Sequence, residues 1–407
     1  MSLLDHAIWW QVYPLGACGA PIRDAERGVR HRLRRLESWL DYTVELGCSG
    51  LLLGPIFTST SHGYDTLDHF SIDPRLGDDA DFDHLLEQAQ RRGLSIVLDG
   101  VFNHVGAHHD LVRQAVEDGN GLVKLASGPQ GMRPLGWEGH DDLAVLDHDN
   151  PAVVELVVEV MLYWLRRGVA GWRLDAAYSV PVSFWATVIG RVRDEFPQAL
   201  FIGEVIHGDY AEIVTRGGLD TVTQYELWKA IWSSIQDTNF WELAWALERH
   251  QEFSETFVPQ TFVGNHDVER IASLVGDSGA VLAAAVLFTV PGMPSIYYGD
   301  EQAFRGQKGH GWEADTELRP ALPETPDQLA ALGLWLYRVH QDLIGLRRRN
   351  PWLTRGSVEI ISKENASIDY RVTGSGHVLT VTMALAPRRQ VVITVDGEQA
   401  FAWSQDH

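Results

Sequence analysis

From its first residues to about residue 350 the chain alternates short apolar runs with longer amphipathic stretches. A strand that reads as an unbroken apolar run is buried on both faces, and a helical stretch between two such strands covers one of them. The alternation therefore describes βα units around a parallel sheet. Eight runs fit strands, at residues 8–13, 50–53, 94–99, 171–175, 200–204, 221–225, 260–263 and 293–298. Apolar residues at i, i+3 and i+4 mark helices at 153–165, behind the start signal Asn150-Pro151, and at 332–348. Eight units close a barrel of about 250 residues or more, and a chain of 407 residues holds one such barrel and something smaller.

Two segments depart from the rhythm. Residues 105–146 follow the third strand and are Gly-rich and polar, with helical spacing only near 111–116. Loops of that length in a compact domain serve as lids or inserted subdomains. After Asn350 the pattern turns to short alternating runs such as 377–383 and 389–395, which fit a small antiparallel sheet. The expected organisation is an eight-stranded β/α (TIM) barrel over 1–349, with the 105–146 insertion, and a C-terminal antiparallel β-domain over 350–407.

Composition narrows the ligand. With 33 basic and 55 acidic residues the formal charge is −22, a field that repels nucleic-acid phosphates and anionic membranes. A neutral ligand fits better, and fifteen Trp with eleven Tyr supply flat amphipathic rings that stack on sugars, although many must also fill the core. Cys18 and Cys48 are too few for a disulfide framework and are expected as thiols. The start, MSLLDHAIWWQVYP, shows no basic segment leading into an apolar core and cleavage site. The longest apolar stretch, 280–290, is shorter than the roughly 20 residues of a membrane span. A cytoplasmic protein without a membrane span is the expectation, and the oligomeric state stays open.

Chemistry in β/α barrels gathers at the C-terminal ends of the strands. Four predicted strands end on or just before an acid: Asp99 in LSIVLDG, Asp175 in GWRLD, Glu204 in FIGE and Asp267 in QTFVGNHD. One such acid is equally well explained as the N-cap of the next helix. Four at one mouth repel one another and lose hydration, a cost that catalysis or metal binding explains. Glycoside cleavage uses such crowding, because one carboxyl must stay protonated for the leaving oxygen while another meets the oxocarbenium-like centre as an anion. Phosphate chemistry is disfavoured, since no Gly-rich P-loop is present and the GSG at Gly374 reads as a turn of the β-domain.

At these residues the sequence resembles the α-amylase family, glycoside hydrolase family 13, across essentially the whole chain. DGVFNH (99–104), GWRLDAA (171–177), FIGEV (201–205) and FVGNHD (262–267) look like its third-, fourth-, fifth- and seventh-strand motifs. SHGYD (61–65), LDHDNP (146–151) and PGMPSIYYGDE (291–301) match its accessory motifs. The resemblance implies a retaining α-glycosidase or transglycosylase that needs no cofactor for its chemistry, with Asp175 as nucleophile, Glu204 as acid/base and Asp267 as transition-state stabiliser. It implies that Arg173 holds Asp175 ionised, that His104 and His266 hydrogen-bond the nonreducing-side sugar with Asp99 alongside, and that Tyr64 stacks beneath that ring. GWRLD, GEVIH and GNHDVERI resemble most the neopullulanase and cyclomaltodextrinase branch. That implies α-glucans or maltooligosaccharides as substrates and adds His207 and Arg270 to the substrate-binding candidates, and Tyr178 joins them by its place just beyond the end of the fourth strand, at the barrel mouth.

The chain also departs from that pattern. The branch carries an N-terminal β-domain, and because the first strand here begins by Ile8 the domain is expected to be missing, with any cyclodextrin preference in doubt. The branch carries Asn-Glu, and the true α-amylases Lys-His, where this chain has Tyr178-Ser179. Acceptor-side specificity therefore does not carry over. Tyr178 either stacks on an acceptor sugar or packs at the start of the next helix. Asn103 matches a position that binds structural calcium in many relatives, and Asp110, Glu117, Asp118, Asp141 and Asp142 offer oxygen donors, whereas the lost His removes part of that site. Other readings are a metal-dependent barrel hydrolase using His62, His104 and His266, which lacks HxH or HExxH spacing, and a non-catalytic relative, which the intact Asp175, Glu204 and Asp267 oppose. The choice between α-1,4 and α-1,6 bonds stays open.

Overall fold

The structure, a computed structural model, describes residues 2–23, 28–128, 131–311 and 314–405. Eight parallel strands make one sheet: β1 (Trp9–Val12), β2 (Gly50–Leu53), β3 (Ser95–Gly100), β4 (Gly171–Leu174), β5 (Leu200–Gly203), β6 (Thr221–Val222), β7 (Gln260–Phe262) and β8 (Met293–Tyr297). Their order is β6-β5-β4-β3-β2-β1-β8-β7. The two ends meet through a parallel bridge from Thr223 to Gln260, where Gln224 N donates to Gln260 O at 2.9 Å, so the sheet closes. Seven of the eight predicted runs contain one of these strands, and β3 extends one residue past its run, to Gly100.

The apolar runs have a period of two with both phases apolar. Trp9, Leu52, Val97, Leu200, Ile202 and Met293 pack together inside the barrel, while Trp10, Leu51, Ile96, Leu98 and Phe201 belong to the larger core under the helices. The outer layer comprises α1 (Leu40–Leu46), α2 (Asp79–Arg91), α3 (Pro151–Arg167), α4 (Val182–Glu195), α5 (Tyr210–Gly217), α6 (Tyr225–Gln236), α7 (Trp241–Ser254), α8 (Ile271–Thr289) and α9 (Leu334–Arg349). Local chemistry sets their ends. Asp78 and Asp81 form a capping box on α2. Asn150 caps α3 by accepting from Ala152 N at 3.0 Å, Pro151 supplies its first turn, and Gly168 ends it at φ 112°.

α8 corrects one expectation. Its apolar face continues well before residue 280, and by length and composition it could cross a membrane, with mean hydropathy 1.9. The helix breaks at Gly276, where φ is 70°, and is mostly buried, packed against α6 and α9. The insertion also holds more structure than its spacing predicts. The helix Asp110–Asp118 covers the expected stretch, but strands occur at His104–Gly106, Leu125–Gly128, Gly131–Pro134, Gly136–Trp137 and His140–Val145. His104–Gly106 is buried, but the others lie mostly on the surface and their alternation was hidden: within His140–Val145, His140, Asp141 and Asp142 are exposed and only Leu143 and Ala144 are buried.

At the C-terminus, β9 (Ser357–Lys363), β10 (Ser367–Gly374), β11 (His377–Ala384), β12 (Gln390–Val395) and β13 (Glu398–Ser404) form an antiparallel meander. Ile368, Tyr370, Val372, Leu379, Val381 and Ile393 turn one face into the common core. Polar ties add direction, with the Tyr370 and Thr289 hydroxyls 2.6 Å apart and Arg389 donating to Val275 O at 2.5 Å. Cys18 and Cys48 are free, buried thiols.

Candidate active site

The parallel register of β3, β4 and β5 brings three of the predicted acids to one guanidinium. Arg173 Nη1 donates to Asp99 Oδ1 and Oδ2 at 2.7 Å each and to Asp175 Oδ1 at 3.1 Å. Its Nη2 lies 2.7 Å from Glu204 Oε1. All four side chains are buried. Glu204 also accepts from Ala176 N at 3.0 Å and from the Tyr225 hydroxyl at 3.2 Å, and that hydroxyl accepts from Asn265 Nδ2 at 2.9 Å. Above them opens a cleft of about 1820 Å³ whose lining includes Tyr64, His104, Asp175, Tyr178, Glu204 and Asp267.

A second charged group also lines this cleft. Asp267 Oδ2 lies 3.0 Å from His266 Nε2, and Arg319 Nη2 donates to Asp267 Oδ1 at 2.9 Å. Arg319 is further fixed by donating from Nε to His266 O and from Nη2 to Asp315 Oδ2. The His266 ring lies parallel to the Tyr13 ring, with centroids 5.9 Å apart, and the Tyr64 hydroxyl bridges His266 and Asp99. His266 and Asp99 thus lie beneath the cleft wall and order the side chains that form it.

Burial is the main cause of the proton affinities here. It raises the pKa of Asp175, with the negative charge of Glu204 adding to the shift and Arg173 opposing it. Asp99 is raised in the same way, again by burial against Arg173. For Asp267 burial is outweighed by the charges of His266 and Arg319, which hold it below the usual carboxylate range. Burial brings His104 down to about 3, so its ring is neutral. Three carboxyl groups facing one cation cannot all ionise cheaply, and the group retains a proton to higher pH than isolated acids do.

Several carried-over positions stand differently from their expected places. His104 lines the cleft beneath Trp137 (ring centroids 4.8 Å apart), but its Nε2 donates to Tyr64 O at 3.1 Å and its Nδ1 accepts from Asn103. A buried imidazole must satisfy both nitrogens, so His104 holds the Tyr64 loop and has no free donor for a sugar. Arg270 is buried away from the cleft: it donates to Leu318 O and Asp300 Oδ1 and lies 4.1 Å from the Tyr297 ring centroid. It is a strut, not a substrate contact. His207 is exposed at the rim, against the Tyr178 ring at 4.7 Å.

The expected calcium donors do not fit a cage. Asp110 and Glu117 both bind Arg113, Asp141 faces Arg133, Asp142 faces His140, and all four lie on the surface. Asp118 is exposed as well. Asn103 points its amide nitrogen at His104. Among the described residues one trio comes within metal-ligand reach, His31, Asp78 and Asp81 at the α2 cap; His62, His104 and His266 form no such group.

Sequence reasoning missed Arg319, Trp137, Glu138, Tyr225, Asn265 and Trp228. Tyr225 and Asn265 follow β6 and β7, so the strand-end rule could have found them. Arg319 lies in an irregular stretch after β8 with no periodic signal.

The chain matches the alpha amylase catalytic-domain family over residues 27–124 and 137–325, and it belongs to that family. Among curated relatives it is similar to Neopullulanase 2 of Thermoactinomyces vulgaris, 32% identical over 341 residues that cover 78% of this chain and 56% of the relative. It is also similar to 4-alpha-glucanotransferase of Thermotoga neapolitana, 26% identical over 85% of this chain and 89% of the relative. Among solved structures, the ligand-free cyclic alpha-maltosyl-(1→6)-maltose hydrolase of Arthrobacter globiformis superposes with a TM-score of 0.82 at 25% identity, covering 99% of this chain and 98% of that one. The chain spans a little over half the length of Neopullulanase 2 and several other curated relatives.

Proposed function

We propose that the chain is a retaining α-glycosidase that cleaves α-glucosidic bonds, mainly α-1,4, in maltooligosaccharides or α-glucans, with residues 1–349 as its catalytic unit and 350–407 as a supporting β-domain. The observation that carries this reading is the single guanidinium of Arg173 gathering Asp99, Asp175 and Glu204 at the floor of an open cleft. Two carboxyl groups held on one cation suit the short separation of a retaining pair, about 5–5.5 Å, more than the wider gap of an inverting one.

In this mechanism the one proton that the crowded group retains is on Glu204, so that Asp175 is the anion that attacks the anomeric carbon while Glu204 gives that proton to the leaving oxygen, and a glycosyl ester with Asp175 results. Water then enters, passes a proton to Glu204, and its oxygen displaces Asp175. Asp267, kept anionic by His266 and Arg319, accepts hydrogen bonds from ring hydroxyls, which strengthen as positive charge grows on the sugar. Tyr64 and Tyr178 supply aromatic lining to the cleft.

A second reading, transfer of the glycosyl group to another sugar, is favoured by the match to 4-alpha-glucanotransferase over nearly its whole length. Parallel incubation with maltotetraose, pullulan, cyclodextrin and starch, followed by product chromatography and early NMR spectra, tests both. Cleavage with the α-anomer appearing first is the expected result. A β-anomer first, or no cleavage of any of the four, refutes the proposal; longer products show transfer.

A further inference from the structure

The tip of the inserted hairpin is built in an unusual way. Trp137 pairs with His140, so Glu138 and Gly139 form a two-residue turn, and their φ angles are 49° and 84°. Positive φ at both positions is the type I′ geometry, which favours Asn-Gly or Gly-Gly because longer side chains are strained there. A glutamate held in that conformation points to function when its side chain has a use.

The use is visible. Glu138 Oε1 accepts from the Tyr178 hydroxyl at 3.2 Å, and next to it Trp137 Nε1 donates to Ser179 Oγ at 3.4 Å. The hairpin tip therefore latches onto the two residues that stand three and four places beyond Asp175. Tyr178 in turn packs on His207, three places beyond Glu204. Glu138, Tyr178 and Ile206 all line the cleft with Glu204. They line it together with Asp267 and Arg319. The match to the family breaks off over 125–136 and resumes at Trp137, at the foot of this tip.

We propose that Glu138, together with the Tyr178 ring it positions, forms the subsite for an acceptor sugar and sets how the glycosyl-enzyme divides between sugar and water. This rests on the glycosidase reading above. A carboxylate has acceptor capacity beyond one donor, and a sugar bound against Tyr178 brings hydroxyl donors, whereas water needs no such grip. One hydroxyl of the bound sugar passes its proton to Glu204, and its oxygen bonds to the anomeric carbon as the bond to Asp175 breaks. The ring covers an apolar sugar face and holds the acceptor close, which raises its effective concentration over that of water.

The experiment uses an aryl α-maltoside as donor and maltose as added acceptor. Release of the aryl alcohol reports formation of the intermediate, and the ratio of transfer to hydrolysis products reports its partition. Glu138→Ala is expected to raise the maltose concentration for half-maximal transfer about tenfold or more, the effect of losing a hydrogen bond to a charged acceptor. Glu138→Gln, which keeps an uncharged acceptor, is expected to shift it less, and Tyr178→Phe, which keeps the ring, to give an intermediate shift. Glu138→Gln and Tyr178→Phe remove almost no volume and decide the matter if Glu138→Ala does not fold. An unaltered maltose dependence in these variants, or equal loss of both products at a constant ratio, overturns the proposal, as does an unaltered enzyme that makes no transfer product. Failure of the unaltered protein to release any aryl alcohol instead overturns the glycosidase reading, and the acceptor subsite with it.

Discussion

Glu301 is a strand-end acid that does not reach the cleft, and its environment fixes a pH dependence of stability. The side chain is 1% exposed, with Oε1 accepting from the Tyr42 hydroxyl at 2.8 Å and Oε2 from Gly299 N at 3.0 Å. Burial outweighs these donors and pushes its pKa from 4.5 to about 7. The folded protein therefore holds a proton that the unfolded chain releases near pH 4.5. The associated stability is fully present below that value and is lost as pH rises through about 7. At about 1.4 kcal/mol per pH unit the loss comes to about 3 kcal/mol. Glu301→Gln keeps the shape and removes the titration. Urea unfolding followed by tryptophan fluorescence at pH 4 and pH 9 measures the effect: relative to the parent, the variant should gain about 3 kcal/mol between the two conditions. An identical difference between variant and parent at both pH values refutes the reasoning.

Three further outcomes are expected at the site. Asp175→Asn should lower kcat on maltotetraose by about four orders of magnitude or more, while its thermal midpoint stays level or rises because a crowded negative charge is gone; one-tenth residual activity removes Asp175 from its role. Glu204→Gln should lose most activity on maltooligosaccharides and far less on aryl glycosides whose leaving group needs no proton, and equal losses on both would exclude it as the acid. Asp99→Asn removes a negative neighbour that helps raise Asp175, so the shared proton should leave at lower pH and the basic limb of the kcat/KM profile should move down by about one unit; a limb that stays in place or moves up contradicts the coupling.

The barrel was legible because a parallel strand buried on both faces leaves a near-continuous apolar run, clearest in β2 (GLLL) and β5 (LFIG), whereas Thr221, Gln260 and Thr261 interrupt it in β6 and β7. The insertion was not, because strands that expose His140, Asp141 and Asp142 on a surface hairpin carry no burial signal. The strand-end acids were legible for the same reason as the strands, since position alone brings Asp99, Asp175 and Glu204 to Arg173. Motif matching could not tell which cations face the cleft. Arg270 sits in the same run of residues as His266 and Asp267 yet turns into the core, where Asp300 and the Tyr297 ring hold it. Arg319 does face the cleft, from a stretch whose short turns leave no pattern.

Charge also explains why these acids are worth keeping together. Beneath the cleft, Asp99, Asp175 and Glu204 share one guanidinium, and along its lining Asp267 and Asp315 share another, Arg319, with His266 beside it. The ligand-free site is thus short of positive charge, and burial makes the shortage costly, which is why Asp175 and Asp99 hold protons more tightly than free carboxyl groups do. A neutral sugar in its ground state does nothing to relieve this. A sugar approaching the oxocarbenium ion brings the missing positive charge to the anomeric carbon. Interactions that strengthen only at that point lower the barrier without tightening substrate binding. On the proposed reading, the crowding that costs the folded protein stability is the feature that makes the cleft complementary to the transition state, and Asp175→Asn, by relieving the crowding, exchanges one for the other.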